Sequence, residues 1–188
     1  MHIFTLFDTL FMFDKYCFLL YNYTMLKKYF IILIIFLSGI ISLFSFGSSD
    51  DIIYFPIHQK SYYISSYYEY RTLGTYHFHN GIDIPLTPGT PLYPLASGVV
   101  SFVGYYGDYG NSIIITYHNG YKSLYGHISS NYIVSVGDKV SKDKIVAYVG
   151  PKYLSNGKLN GYTTGPHLHF TLYKNGRLIN PLEAKYST

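Results

Sequence analysis

The chain has 188 residues, of which 48% are hydrophobic and only 13% are charged, so it is long enough to bury one core of its own. Its formal net charge of +4 is small, and no stretch carries five or six like charges, which argues against nucleic acid as a partner. Because Cys17 is the only cysteine, the chain past residue 50 has no disulfide and no cysteine-based zinc site.

The N-terminal part of the chain is strongly apolar. Residues 1–24 show no clean helical or strand period, and we interpret them as an upstream extension outside the fold. Residues 25–28 are a basic start, residues 29–46 are uncharged, and the run ends in small residues, so residues 25–47 are predicted to be a signal peptide. A membrane anchor through 29–46 is the alternative, because that run is just long enough to span a bilayer. Either interpretation places the rest of the chain outside the cytoplasm.

After a lead-in over 48–63, the sequence indicates short strands. Runs rich in β-branched or aromatic residues occur at 98–103, 112–117, 121–125, 133–136, 145–149 and 167–173, and Gly, Pro and Asn separate them. Asn119-Gly120 lies between two of these runs and predicts a tight hairpin. No amphipathic helix pattern is found past residue 50. We therefore predict an all-β domain over 64–188, built as an antiparallel, sandwich-like sheet.

His79 and Asp83 are the first candidate metal ligands. On a straight strand two residues four apart would lie about 13 Å from each other, which is too far for two zinc ligands at about 2.0–2.2 Å. The chain must therefore bend between them. We predict that Gly81 supplies the bend by adopting backbone angles closed to other residues.

His167 and His169 form a second group. Side chains alternate along a strand, so both imidazoles are expected on one face while Leu168 points into the core. This spacing allows one of the two, or both, to bind a metal. A further histidine, His127, follows a glycine in a different segment.

The glutamates and the remaining histidines limit which residue can act as a general base. Past residue 50 the glutamates are Glu69 and Glu183, and neither lies in a His-Glu-x-x-His arrangement, which excludes the helical zinc-protease motif. A general base is therefore expected to be a histidine. His58 and His118 are isolated, and we interpret them as structural or surface residues, whereas His77 is a candidate for a supporting role at the metal.

Several motifs resemble, in the same order, those of the lysostaphin-like zinc metallopeptidases of family M23. They lie at 76–84, 88–91, 96–100, 124–129, 136–140 and 164–170. The resemblance implies that His79, Asp83 and His169 bind one Zn2+ per chain, with His127 and His167 as catalytic histidines beside it. It also implies an all-β fold with a long groove across its sheet.

The chain departs from the family pattern at two places. Residues 151–163 form a longer connection than the short turn usual in the family, and we expect this loop to wall the groove and influence substrate preference. Thr171 stands where many relatives carry Glu. Before the first ligand, residues 64–67 and Arg71 resemble a Ser-x-Phe-Gly-x-Arg block, with Tyr67 and Tyr68 in place of Phe and Gly.

The resemblance and the export signal together imply an exported endopeptidase. It would hydrolyse peptide bonds in peptidoglycan stems or cross-bridges, using a zinc-activated water, and is expected to be a monomer. Loop tyrosines are candidates for lining the groove, unless they only reflect composition: Tyr105, Tyr106, Tyr109, Tyr153 and Tyr162. The alternative is a non-catalytic wall-binding or regulatory module, whose mark would be loss of ligand positions; all five positions are present here.

Overall fold

A computed structural model describes residues 23, 25–32, 52–73 and 75–187. Residues 25–32 are helical, and no helix in these ranges is long and apolar enough to cross a membrane. Nearly all of the upstream extension predicted over 1–24 lies outside the described residues. The same holds for residues 33–47 of the predicted signal or anchor segment.

The prediction of an all-β domain is confirmed. Among the described residues the strands are β1 (Ile53–Tyr54), β2 (Glu69–Leu73), β3 (Thr75–His79), β4 (Ile82–Pro85), β5 (Pro91–Leu92), β6 (Gly98–Tyr105), β7 (Asn111–Tyr117), β8 (Tyr121–Gly126), β9 (Lys139–Val140), β10 (Ala147–Tyr148), β11 (His167–Lys174), β12 (Arg177–Ile179) and β13 (Tyr186–Ser187). Short 3-10 helices occur at Gly107–Tyr109 and Pro181–Glu183.

One antiparallel sheet organises the domain. Its strand order is β12-β11-β8-β7-β6-β9, and β4 also pairs with β11. β4 and β12 share one edge of β11, because β4 pairs with its first half and β12 with its end, while β8 lies along the other edge. β2 and β3 form a separate hairpin. The hairpin predicted at Asn119-Gly120 is confirmed, since β7 and β8 pair around it and Gly120 has a φ of 78°.

The core explains why β11 keeps its orientation. Leu168, Phe170 and Leu172 alternate along this strand and are fully buried, as expected for one face of a strand against a core. The lead-in over 48–63 contributes to the same core, because Ile53 and Ile57 are buried in it and β1 pairs in parallel with β13.

Two predicted strands differ from the observed ones. The strand predicted over 133–136 is wrong, because this segment is irregular: Val134 is buried, but Ile133 and Val136 are 41% and 63% exposed. Its backbone instead enters a turn in which the Ser135 amide donates to Asp138 Oδ2 at 3.0 Å. The strand predicted over 145–149 is shorter, with only Ala147–Tyr148 paired to β5. In residues 133–136, strand propensity therefore gave way to local turn bonding and limited burial.

Candidate metal centre

The register of β11 brings the candidate ligands together. His167 and His169 lie on one face of this strand and Leu168 is buried on the other, which confirms the predicted alternation. In the antiparallel pairing His169 lies directly opposite Asp83 of β4 on one side and Gly126 of β8 on the other. His127, the next residue after Gly126, follows the end of β8, and its φ of +57° breaks the strand alternation, so that its ring also lies beside this face.

The bend between His79 and Asp83 has a different cause from the one predicted. Gly81 is not among the glycines with positive φ, so the prediction that it adopts a backbone conformation closed to other residues is wrong. Instead, a Cβ on Gly81 would lie 2.5 Å from the carbonyl oxygen of Phe170 and 2.9 Å from His169 Nε2. The absence of a side chain lets the turn from β3 into β4 pass closely over β11.

Three ligand atoms converge at this point. Asp83 Oδ1 lies 2.8 Å from His169 Nδ1 and 3.2 Å from His79 Nε2, and the two nitrogens are 3.1 Å apart. Ligand atoms around a tetrahedral zinc ion at about 2.0–2.2 Å would lie roughly 3.3–3.6 Å apart. Within the described residues, these three side chains are the group of His, Cys, Asp or Glu that could hold a metal ion.

The outer nitrogens of the two histidines have partners of their own. His79 Nδ1 donates to the carbonyl oxygen of Tyr67 at 2.7 Å, and His169 Nε2 is hydrogen-bonded to Thr171 Oγ1 at 2.9 Å. His79 Nε2 and His169 Nδ1 face Asp83 Oδ1, to which a ring N–H can donate. With a metal bound at these two nitrogens, the remaining ring protons would lie on the outer nitrogens, where the Tyr67 carbonyl and Thr171 Oγ1 can accept them. Two imidazoles and one carboxylate are a donor set that fits zinc.

Asp83 is held in its anionic form. Burial acts to raise the pKa of Asp83, but hydrogen bonds with His169 and His79 outweigh it and hold the pKa well below its usual range. The other carboxylate oxygen, Oδ2, lies 3.6 Å from Arg71 Nη1. Arg71 Nε in turn donates to His77 Nε2 at 3.1 Å, so His77 supports Arg71 and does not join the three ligand atoms.

His127 and His167 lie next to each other beside the ligands. Their ring centroids are 4.5 Å apart, and His167 Nε2 is 3.6 Å from Asp83 Oδ1. Each Nδ1 donates to a backbone carbonyl, of Asn160 at 2.6 Å and of Gly165 at 2.8 Å. Burial and the neighbouring His167 lower the pKa of His127 to about 4, so this imidazole is neutral at pH 7 and can accept a proton at Nε2.

An open groove of about 660 Å³ crosses the site, and all five predicted site residues line it. Among the five candidate tyrosines, Tyr106, Tyr109 and Tyr162 line this groove. Tyr105 belongs to β6 and Tyr153 has its ring under Lys152. The loop over 151–163 thus supplies Tyr162 to the wall of the groove. His58 and His118 lie elsewhere, with His58 stacked on Tyr93 at 3.7 Å.

Three supporting residues were missed in the sequence. Thr171 could have been found, because it follows His169 by two residues and so shares its strand face. Tyr67 and Asn160 act through backbone carbonyls. Every residue type carries such a group, so no side-chain pattern marks them.

The fold and the site define an all-β protein with a candidate centre for a single metal ion. Residues 77–181, more than half of the chain, match the model of Peptidase family M23. The chain therefore belongs to peptidase family M23, and the resemblance seen in its motifs is confirmed.

Relatives include the DD-carboxypeptidase/endopeptidase Mpg of Neisseria meningitidis, which is 35% identical over 128 residues, 66% of this chain and 27% of the relative. Peptidoglycan DD-endopeptidase ShyA of Vibrio cholerae is 35% identical over 106 residues, 56% of this chain and 23% of the relative. The chain thus spans about a quarter of the length of these relatives. A zinc-containing peptidase from Vibrio cholerae has a similar structure, with a TM-score of 0.59 and 28% identity over 71% of this chain and 40% of that one.

Proposed function

We propose that this chain is a zinc-dependent endopeptidase that hydrolyses peptide bonds in peptidoglycan stems or cross-bridges. The observation that carries the proposal is the convergence of three ligand atoms beside two further histidines in an open groove. Membership of family M23, the peptidoglycan DD-endopeptidase among the relatives and the zinc-containing structural neighbour support the substrate and the metal.

His79 Nε2, Asp83 Oδ1 and His169 Nδ1 would hold one Zn2+. When bound, zinc polarises a carbonyl group and lowers the pKa of water to about 7. The anionic Asp83 would offset part of the charge of the ion, and Tyr67 and Thr171 can accept the outer ring protons of the two imidazoles once their inner nitrogens bind the metal. The three ligand atoms, which lie 2.8–3.2 Å from one another, would need only a small outward shift to reach the spacing around a tetrahedral zinc ion.

His127 and His167 carry the proton transfers in this proposal. Each donates its Nδ1 proton to a backbone carbonyl, so each presents Nε2 as the nitrogen able to take a proton from the attacking water. Once protonated, the same nitrogen can donate to the developing oxyanion or to the departing amine. The low pKa of His127 keeps it ready as an acceptor at neutral pH.

The groove and the N-terminal segment support the choice of substrate and location. Tyr106, Tyr109 and Tyr162 give the groove aromatic walls suited to an extended peptide. The apolar run at 29–46 with its basic start supports export. The protein would then act in the cell envelope, as a monomer.

The test is digestion of purified peptidoglycan by the full chain, with identification of the released peptides. We expect cleavage that stops when the metal is removed and returns when zinc is added. His79→Ala, Asp83→Ala and His169→Ala should each lose zinc. A folded, zinc-loaded chain that binds peptidoglycan and releases no peptide would contradict the proposal and favour the non-catalytic wall-binding module.

A further inference from the structure

Asn160 is a buried polar residue at the centre of the loop over 151–163. Its side chain is fully buried and joins three segments: Oδ1 accepts from the amide of Asn111 at 2.9 Å, and Nδ2 donates to the carbonyl oxygens of Ile128 at 3.0 Å and Pro151 at 3.4 Å. Its own amide donates to the carbonyl of Lys152 at 2.9 Å. The side chain therefore fixes the position of the Asn160 backbone on both sides of the loop.

The backbone carbonyl that is fixed in this way is the partner of His127. It accepts the Nδ1 proton of His127 at 2.6 Å. The position of the ring also depends on the unusual backbone of His127, which has a φ of +57° at a cost on the order of 1 kcal/mol for a residue other than glycine. That conformation is held by bonds from the His127 amide to the carbonyl of Tyr109 at 2.7 Å and from the Gly150 amide to the carbonyl of His127 at 2.9 Å.

Glycines let these segments approach each other closely. A Cβ on Gly110 would lie 2.3 Å from the carbonyl oxygen of Asn160, and one on Gly150 would lie 2.7 Å from Asn160 Nδ2. Gly161 has a φ of +81°, and a Cβ there would lie 2.4 Å from the carbonyl of Asp108. Residue 160 is thus approached closely from two sides, and a side chain at these glycines would displace it.

We propose that Asn160 is a positioning residue for His127, and that the loop over 151–163 belongs to the catalytic apparatus as well as to the groove wall. The Asn160 side chain holds its own carbonyl where it selects the tautomer of His127 with the proton on Nδ1, which leaves Nε2 as the acceptor in the groove. The proposal rests on the proposed function, because His127 has a catalytic role only there.

The test compares Asn160→Ala with Asn156→Ala in the full chain. Asn156 lies in the same loop but is exposed, and its side chain accepts only from the amide of Lys158 at 3.0 Å. Asn160→Ala keeps the backbone carbonyl and removes the three bonds that hold it. We expect unchanged zinc content, a kcat about 10- to 100-fold lower with little change in KM, and a shifted pH profile. Asn156→Ala should match the wild type.

A spectroscopic measurement separates positioning from general stability. Imidazole 15N chemical shifts should place the proton of His127 on Nδ1 in the wild type and in Asn156→Ala, and should show a mixture of tautomers in Asn160→Ala. Should Asn160→Ala fail to fold, Asn160→Leu replaces it, because that variant keeps a similar volume and adds no charge while losing all three side-chain bonds.

Two results would overturn the proposal: a folded Asn160 variant with wild-type kcat, or one with lowered kcat and an unchanged tautomer of His127. The failure of the proposed function looks different. In that case the wild type itself cuts no peptidoglycan, while the tautomer measurement still reports whether Asn160 positions the ring.

Discussion

Replacing Thr171 by Val should weaken zinc binding with little change of shape. Both ring nitrogens of His169 have hydrogen-bond partners: Nδ1 lies 2.8 Å from Asp83 Oδ1, and Nε2 lies 2.9 Å from Thr171 Oγ1. Thr171 is fully buried on the same face of β11. Thr171→Val therefore removes one buried hydroxyl and, in the zinc-loaded protein, leaves the Nε2–H of His169 without an acceptor.

The expected magnitude follows from that unsatisfied group. A buried donor without a partner costs about 1–3 kcal/mol. The apoprotein can avoid this cost by moving the ring proton to Nδ1, but the zinc-loaded protein cannot, because Nδ1 then holds the ion. The penalty falls on the bound state, and since about 1.4 kcal/mol corresponds to tenfold in affinity, we expect a Kd about 10- to 100-fold weaker. Loss of an outer partner of a zinc-bound histidine typically has this effect.

Competition with a chelator of known affinity would measure the Kd of the full chain and of the variant. Thr116→Val is the matched control, since Thr116 is an exposed strand residue whose hydroxyl donates to Ser101 Oγ at 3.3 Å. Thermal unfolding of both apoproteins distinguishes lost affinity from lost fold. Equal zinc affinity in Thr171→Val and Thr116→Val would refute the assigned role of the hydroxyl.

Three further predictions follow from single contacts. His127→Ala and His167→Ala should keep zinc and lower kcat about 10²–10⁴-fold, and the zinc content is measured alongside kcat. If His167→Ala loses zinc, His167 is a metal ligand instead. Gly81→Ala should lower the free energy of unfolding, measured in urea, by about 1–3 kcal/mol, because the new methyl group would meet the backbone of β11. Gly165→Ala is the control: a Cβ there would have no neighbouring atom within 4 Å, so the free energy of unfolding should not fall. Burial raises the pKa of Tyr117 from 10.0 to about 12, so the unfolded chain loses this proton at a lower pH than the folded chain does. About 3 kcal/mol of folding stability that is present below pH 10 should therefore be lost as the pH rises to 12. Tyr117→Phe has no such proton, so its stability should fall less over this pH range.

The candidate site residues could be found in the sequence because they lie in short local motifs that resemble those of family M23. The alternation of His167, Leu168 and His169 predicts which face each side chain occupies, and the structure agrees. The spacing of His79 and Asp83 predicts a bend. The pairing of β4 with β11 could not be predicted in this way, because it joins positions far apart in the chain and no local period encodes the register of that pair.

Gly81 shows where local reasoning gave the right residue for the wrong reason. A glycine between two ligands suggests an unusual backbone angle, which depends on the residue alone. The actual requirement is space, and it comes from Phe170 and His169 on a strand distant in sequence. The backbone carbonyls of Tyr67 and Asn160, which accept from histidines, could not be predicted from the sequence for the same reason, because these bonds depend on which segments meet in the fold.

The hydrophobic core itself selects the geometry of the metal centre. A slip of one residue along β11 would turn Leu168, Phe170 and Leu172 out of the core and His169 into it. Full burial of each of these three side chains stabilises the observed register by about 1.5–3 kcal/mol, whereas the slipped register would bury imidazoles without partners. The same register sets His169 opposite Asp83 and Gly126. Apolar packing on the far face of the strand therefore helps to bring the candidate ligands together.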